Sequence, residues 1–255
     1  MPFVTVAQGS LYFARHSLRQ PAAPAVVFIH GAGGSHLIWP ALLRRLAPGW
    51  STYLLDLPGH GRSGGTGSPS IDVHAEAVED VLRSLGLTAV ILVGHSLGGA
   101  VALYVVRRQP QLCRKLVLFN SSARFTIPAE ITSALEAGRH EKAIDAICRY
   151  VCSPGIAAPL LEATRRMLAE VSLATLRADY AACSSFDARE WAGEIDVPAL
   201  VVGADGDLLT PPEDQRWLAG RIAGARLVML AGCGHMAVLT NAAECRKALL
   251  EFSET

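Results

Sequence analysis

Short apolar runs alternate with amphipathic segments along most of this chain, and that alternation is its strongest constraint on fold. Ala25–His30 (AVVFIH), Thr52–Asp56, Ala89–Val93, Lys115–Asn120, Ala199–Gly203 and Arg226–Leu230 read as strands. Leu37–Leu46, Val73–Leu85, Gly99–Val106, Pro212–Ala223 and Ala242–Phe252 read as helices. A strand that is apolar on both faces has to be covered on both, which a parallel sheet between two layers of helices achieves. Phe3–Val6 and Leu11–Arg15 flank Gln8-Gly9-Ser10 and read as an N-terminal hairpin. In sheets of this kind the ligand crevice lies beyond the carboxyl ends of the strands.

One stretch breaks the alternation. Between Ser121 and Glu190 no strand is evident, and Glu130–Gly138, Glu141–Val151, Ala158–Val171 and Leu173–Ala182 all have helical periodicity. It leaves a strand carboxyl end, so it is expected to cover the crevice. Its apolar positions, such as Leu160, Met167 and Leu176, are expected to shape a binding pocket. The division that follows is a core of residues 1–120 and 191–255 with a helical cap over 121–190.

Composition excludes several classes of partner. Lys+Arg equals Asp+Glu at 23 each, so no net field draws the chain to nucleic acid or to an anionic membrane. The pairs Arg44-Arg45, Arg107-Arg108 and Arg114-Lys115 stand near helix ends and read as solvated caps. No N-terminal basic-then-apolar pattern and no run of 18 apolar residues is present, so a cytoplasmic location is expected. Six scattered cysteines without a CxxC pair read as reduced, mostly buried thiols. No histidines stand at zinc spacing, and neither a metal nor an organic cofactor is expected.

The chemistry begins at Gly94-His95-Ser96-Leu97-Gly98, between the Ala89–Val93 strand and a helix. Gly-x-Ser-x-Gly in that setting is a nucleophile elbow, a turn so sharp that residues two before and two after the serine must be small. A serine hydroxyl needs an adjacent base. In the order Ser, Asp, His, both partners lie downstream at the ends of later strands. Ala199–Gly203 runs into a loop holding Asp205 and Asp207, and Arg226–Leu230 runs into the glycine-flanked His235. An oxyanion hole needs two convergent backbone N–H groups. Leu97, directly after the serine, supplies one; Ala32, in the loop His30-Gly31-Ala32-Gly33-Gly34, is the candidate for the other. Trp39, Phe125 and Trp191 read either as pocket lining or as packing between cap and core, with core packing preferred.

Together, His30-Gly31, Asp56–Ser63 (DLPGHGRS), Gly94–Gly98, Asp207–Pro211 (DLLTP) and Gly234-His235 make the chain resemble the α/β-hydrolase-fold enzymes, specifically the serine carboxylesterase-like members with a helical cap. The match runs nearly end to end. The resemblance implies a mostly parallel central sheet flanked by helices on both faces, with an inserted cap. It places the acid after the sixth or seventh strand. Asn120 holds the first of those positions and is no carboxylate. In similar sequences the acid stands four residues before a proline, as Asp207 does before Pro211, whereas Asp205 does not. The implied triad is therefore Ser96, Asp207 and His235, with an oxyanion hole at Ala32 and Leu97. His30 and His60 are implied to support the oxyanion loop and the neighbouring turn; Arg62 and Ser63 read as structural in the turn after Asp56. The activity implied is hydrolysis of a small-molecule carboxylic ester, thioester or lactone. Carbon–carbon bond hydrolysis and cofactor-free perhydrolysis use the same residues and stay open, as does a non-catalytic small-ligand receptor on this fold. Oligomeric state is open as well.

Overall fold

Every residue of β3 (Ala25–Ile29), β4 (Ser51–Leu55), β5 (Val90–His95) and β7 (Ala199–Ala204) is buried, as strands covered on both faces must be. These are the central strands of a computed structural model that describes residues 2–17, 25–46, 50–152 and 156–254. The expected domain limits at residues 1 and 255 lie outside the described residues. With β1 (Phe3–Val6), β2 (Gly9–Ser17), β6 (Cys113–Phe119) and β8 (Arg226–Leu230), they form an eight-stranded sheet of order β1-β2-β4-β3-β5-β6-β7-β8. The pairs from β4 to β8 are all parallel. The hairpin β1–β2 adds antiparallel strands at one edge.

Strand alternation divides the apolar side chains between two cores. Val27, Ile29, Leu92, Leu116, Leu118 and Val201 point to one face. Val26, Phe28, Ile91, Val93, Val117, Phe119, Leu200 and Val202 point to the other. The first core is closed by apolar residues of helices beyond a short α1 (Ala41–Arg44), namely α2 (Ile71–Ser84) and α3 (Leu97–Arg108).

Between β6 and β7 the chain forms α4 (Ala129–Glu136), α5 (His140–Val151), α6 (Ala158–Ala169) and α7 (Leu173–Ser185). Their apolar faces, including Ile144, Ile147, Leu168 and Leu176, join the second core. Burying a side chain such as Ile144 stabilises by about 1.5–3 kcal/mol. An antiparallel bridge between Arg124 and Asp187 joins the two ends of the insertion. The Ala188 N–H also donates to the Ala123 carbonyl at 2.7 Å. α8 (Pro212–Arg221) returns to the first face, while α9 (Ala237–Thr240) and α10 (Ala242–Glu254) pack on the second.

Two local expectations fail for physical reasons. The helix expected over Leu37–Leu46 is split into a 3₁₀ turn, His36–Ile38, and α1. Pro40 sits between them, with no N–H to continue a helix and a ring that clashes with the preceding turn. Lys115 is not a solvated cap. It is buried, and its ammonium donates to the carbonyls of Phe252 (2.7 Å) and Ser253 (3.2 Å) at the end of α10. Arg108 is tied as well, bridging α3 to Asp72 and Glu79 of α2.

The strand order reverses around β3: the chain goes from β3 to β4 on one side and later to β5 on the other. The loops after β3 and β5 therefore diverge and leave a crevice at their carboxyl ends.

Candidate active site

Ser96 stands in that crevice, between β5 and α3. Its backbone is at φ 52°, ψ −121°, a conformation side chains rarely adopt. The glycines around it explain how the turn is tolerated. A Cβ on Gly94 would overlap the Gly98 carbonyl, and one on Gly98 would overlap the Ile29 carbonyl of β3. The elbow is also held from β6. The Ser96 N–H donates to the Phe119 carbonyl (3.0 Å), and the Ser121 hydroxyl donates to the Ser96 carbonyl (2.9 Å).

Asp207 and His235 arrive on the loops after β7 and β8. The His235 Nδ1–H faces both carboxylate oxygens of Asp207 at 3.0 Å, and both side chains are buried. Asp205 is exposed and accepts the Gly232 N–H at 2.9 Å, far from this role. Ser96 and His235 line one cavity with no direct hydrogen bond between them. In resting hydrolases such contacts commonly tighten only with substrate bound.

The Asp207 carboxylate sits among donors. Oδ1 accepts the N–H groups of Leu209 and Thr210, each at 3.0 Å. Oδ2 accepts from the Thr210 hydroxyl (2.6 Å), the Gln215 amide (3.0 Å) and the Asn120 amide (2.9 Å). Burial alone would raise the carboxyl pKa; the His235 ring and these donors outweigh it and hold it down at about 2. Asn120, Thr210 and Gln215 were not singled out as partners from the sequence. The Asp207–Thr210 contact is local and legible as an Asx-type turn before Pro211. Asn120 and Gln215 reach the site only through sheet register and the packing of α8, which no local pattern encodes.

The histidines divide by what their nitrogens face. His95 donates from Nε2 to the His235 carbonyl (2.9 Å), joining the elbow to the histidine loop. Burial, and the neighbouring His235, push its pKa down to about 3, so its ring is neutral. His30 donates from Nδ1 to the Gly31 carbonyl (2.8 Å) and accepts the Leu57 N–H at Nε2 (3.0 Å). It too is neutral, pushed down to about 4 by burial and by His60. Arg62 and Ser63 bind Asp56 through the Arg62 N–H (2.9 Å to Oδ2) and the Ser63 hydroxyl (2.6 Å to the carbonyl), and so shape that turn.

Ala32 lies in the turn after β3, which the Gly34 N–H closes on the Gly31 carbonyl at 3.0 Å; Leu97 is the first residue of α3. Gly31, Ala32 and Gly34 line the same cavity as Ser96 and His235. The opposite wall is apolar and comes largely from the insertion: Ile127, Ile147, Val151, Met167 and Leu168. Phe125 is in this wall too, and it also packs in the first core against Phe186, so it fills both of its expected roles. Trp39 and Trp191 are buried against Phe28 and Tyr104. Of the three insertion positions expected to shape a pocket, Met167 lines it and Leu160 and Leu176 do not. Among the described residues, no lysine, arginine or carboxylate is in the lining.

Comparison with known proteins agrees with this architecture. The solved enol-lactonase of Burkholderia xenovorans LB400 superposes over 100% of both chains with a TM-score of 0.93 at 23% identity, a likeness of fold. A solved thermophilic esterase is 31% identical, with a TM-score of 0.85 over 99% of this chain and 96% of its own. The pimeloyl-[acyl-carrier protein] methyl ester esterase of Neisseria meningitidis serogroup A is 30% identical over 234 residues, which are 87% of this chain and 74% of the relative. The model of the alpha/beta hydrolase family matches residues 26–248. With an elbow, sheet order and sequence match that extend nearly end to end, this chain belongs to the alpha/beta hydrolase family.

Proposed function

We propose that this protein is an ester hydrolase that works through an acyl-enzyme on Ser96. His235 takes the Ser96 proton as the hydroxyl oxygen attacks the ester carbonyl. Asp207 fixes the ring tautomer with Nδ1–H toward itself and stabilises the imidazolium. The N–H groups of Ala32 and Leu97 stabilise the tetrahedral oxyanion. The imidazolium then gives its proton to the departing alkoxide, which leaves as the alcohol. In the second half, His235 removes a proton from water as its oxygen attacks the acyl-enzyme. The intermediate collapses, Ser96 regains a proton and the carboxylic acid leaves. Residues 121–190 act as the cap, supplying the apolar wall that receives the acyl group and excludes water.

The observation that carries this reading is the Asp207–His235 contact at 3.0 Å, with His235 lining the same cavity as an elbow serine at φ 52°. The relatives named for ester hydrolysis support the reaction class. A lining without lysine, arginine or carboxylate among the described residues suits an uncharged acyl group.

The test is a fluorophosphonate label read by mass spectrometry, with a kcat/KM panel of esters, thioesters and lactones. The parent should be labelled on Ser96 and hydrolyse short esters. Ser96→Ala should lose both label and activity while keeping its thermal midpoint. An unlabelled, esterase-dead parent that still binds a small ligand would favour a receptor instead.

A further inference from the structure

Asp179 is a carboxylate on α7, in the insertion, with no measurable exposure and no place in the mechanism above. Its Oδ2 makes two contacts to the core. The Gly33 N–H, from the turn after β3, donates to it at 2.8 Å. The Nε2 of His60, from the turn after β4, lies 2.8 Å away. The other nitrogen of that ring, Nδ1, lies 3.0 Å from the Pro58 carbonyl. Both ring nitrogens thus face acceptors, so His60 carries both protons and pairs with Asp179 as a buried ion pair. Burial would lower the His60 pKa and raise that of Asp179. Their mutual attraction outweighs burial in each, so His60 is raised and Asp179 lowered. A buried pair of this kind adds little net stability compared with apolar packing, so its stabilising effect does not explain its presence.

Its position is more informative. Gly33 follows Ala32 in the turn that the Gly34 N–H closes on Gly31. Accepting the Gly33 N–H fixes the Ala32–Gly33 peptide plane. His30 fixes the turn from the other side through the Gly31 carbonyl. The insertion packs closely on this turn: a Cβ on Gly33 would stand 2.7 Å from the terminal methyl groups of Leu168 on α6 and Leu176 on α7. We propose that Asp179 is a positioning residue for the oxyanion hole: it reaches from the insertion to hold the Ala32–Gly33 peptide, which adjoins the Gly31–Ala32 peptide whose N–H enters the hole, so the hole is fully formed only when the insertion is docked. His60 holds the Asp179 oxygen at its station. The inference rests on the serine-hydrolase reading and adds to it a link between cap docking and transition-state stabilisation.

The experiment compares Asp179→Ala and Asp179→Asn with the parent on a short ester and on an alkyl trifluoromethyl ketone, which Ser96 would capture as a tetrahedral oxyanion. Asn keeps an oxygen for the Gly33 N–H; Ala does not. In Asp179→Ala, kcat should fall on the order of tenfold to a hundredfold, the scale of a small misplacement of catalytic groups. KM should change little, and the ketone Ki should rise by the same factor as kcat falls. Asp179→Asn should recover most of both losses. Asp179→Val takes the place of Ala if the latter is not recovered folded. An alanine or valine variant with parental kcat and ketone Ki, whatever its thermal midpoint, would overturn the proposal. So would an Asn variant as impaired as Ala. A parent that neither hydrolyses esters nor takes the fluorophosphonate label would instead remove the serine reading, and this proposal with it.

Discussion

Asp207 keeps a full charge in the interior because five protein donors besides His235 surround it, not because solvent reaches it. Asp207→Asn should lower kcat by about 10⁴, the scale of the wrong-tautomer effect in a serine protease. Asp205→Asn, which disturbs only an exposed contact to Gly232, should change kcat little. Steady-state kinetics on one short ester ranks the two, and the reverse order would reject the assignment. The same carboxylate gives a pH signature in stability. Its folded pKa, about 2, lies below its ordinary value of 3.8. The stabilisation is therefore fully present above that ordinary value and lost as pH falls through the folded one. The thermal midpoint of the parent should exceed that of Asp207→Asn at pH 6, and the gap should narrow between pH 4 and pH 2. A gap that is constant across that range would mean that the ionised form is not what the site stabilises.

At the scale of elements, the elbow depends on how closely α3 can approach β3 and β5. The glycines set that approach, so the cost of a methyl group depends on what it meets. Gly98→Ala drives a Cβ into the Ile29 carbonyl, backbone that cannot step aside. Overpacking of that kind costs about 1–3 kcal/mol or more. At about 2–4 °C per kcal/mol for a chain of this size, the midpoint should fall by several degrees, and activity should fall with it. Gly220→Ala is the matched control. It lies exposed in the last turn of α8 with nothing within 4 Å of a new Cβ. Alanine there should raise the midpoint slightly, since glycine costs up to about 1 kcal/mol within a helix. Differential scanning calorimetry of both variants checks the pair. Equal effects would mean that the elbow is less tightly packed than its geometry requires.

For the whole molecule, the insertion and the core meet at the cavity, and specificity should follow that wall. Met167→Ala, in the lining, should favour longer acyl chains. At about 0.8 kcal/mol per buried methylene, the ratio of kcat/KM for esters differing by one methylene should shift several-fold. Leu160→Ala, outside the lining, should leave the ranking unchanged; an ester series measured on both variants decides it, and a ranking that neither moves would remove the cap from the account of specificity. The amino-acid sequence alone determined the alternation of buried strands and helices, the tight glycine turn at Ser96, the helical stretch before β7 and the loops carrying Asp207 and His235. Each of these is written in local periodicity, in glycine placement or in a short motif. Only the tertiary structure decided that Asn120 and Gln215 share the Asp207 carboxylate, that Lys115 is buried under the end of α10, that Phe125 and Met167 face the cavity while Leu160 and Leu176 do not, and that Asp179 reaches Gly33. Those contacts join residues as many as 146 positions apart. Strand register and helix packing create them, and neither leaves a mark in a short window of sequence.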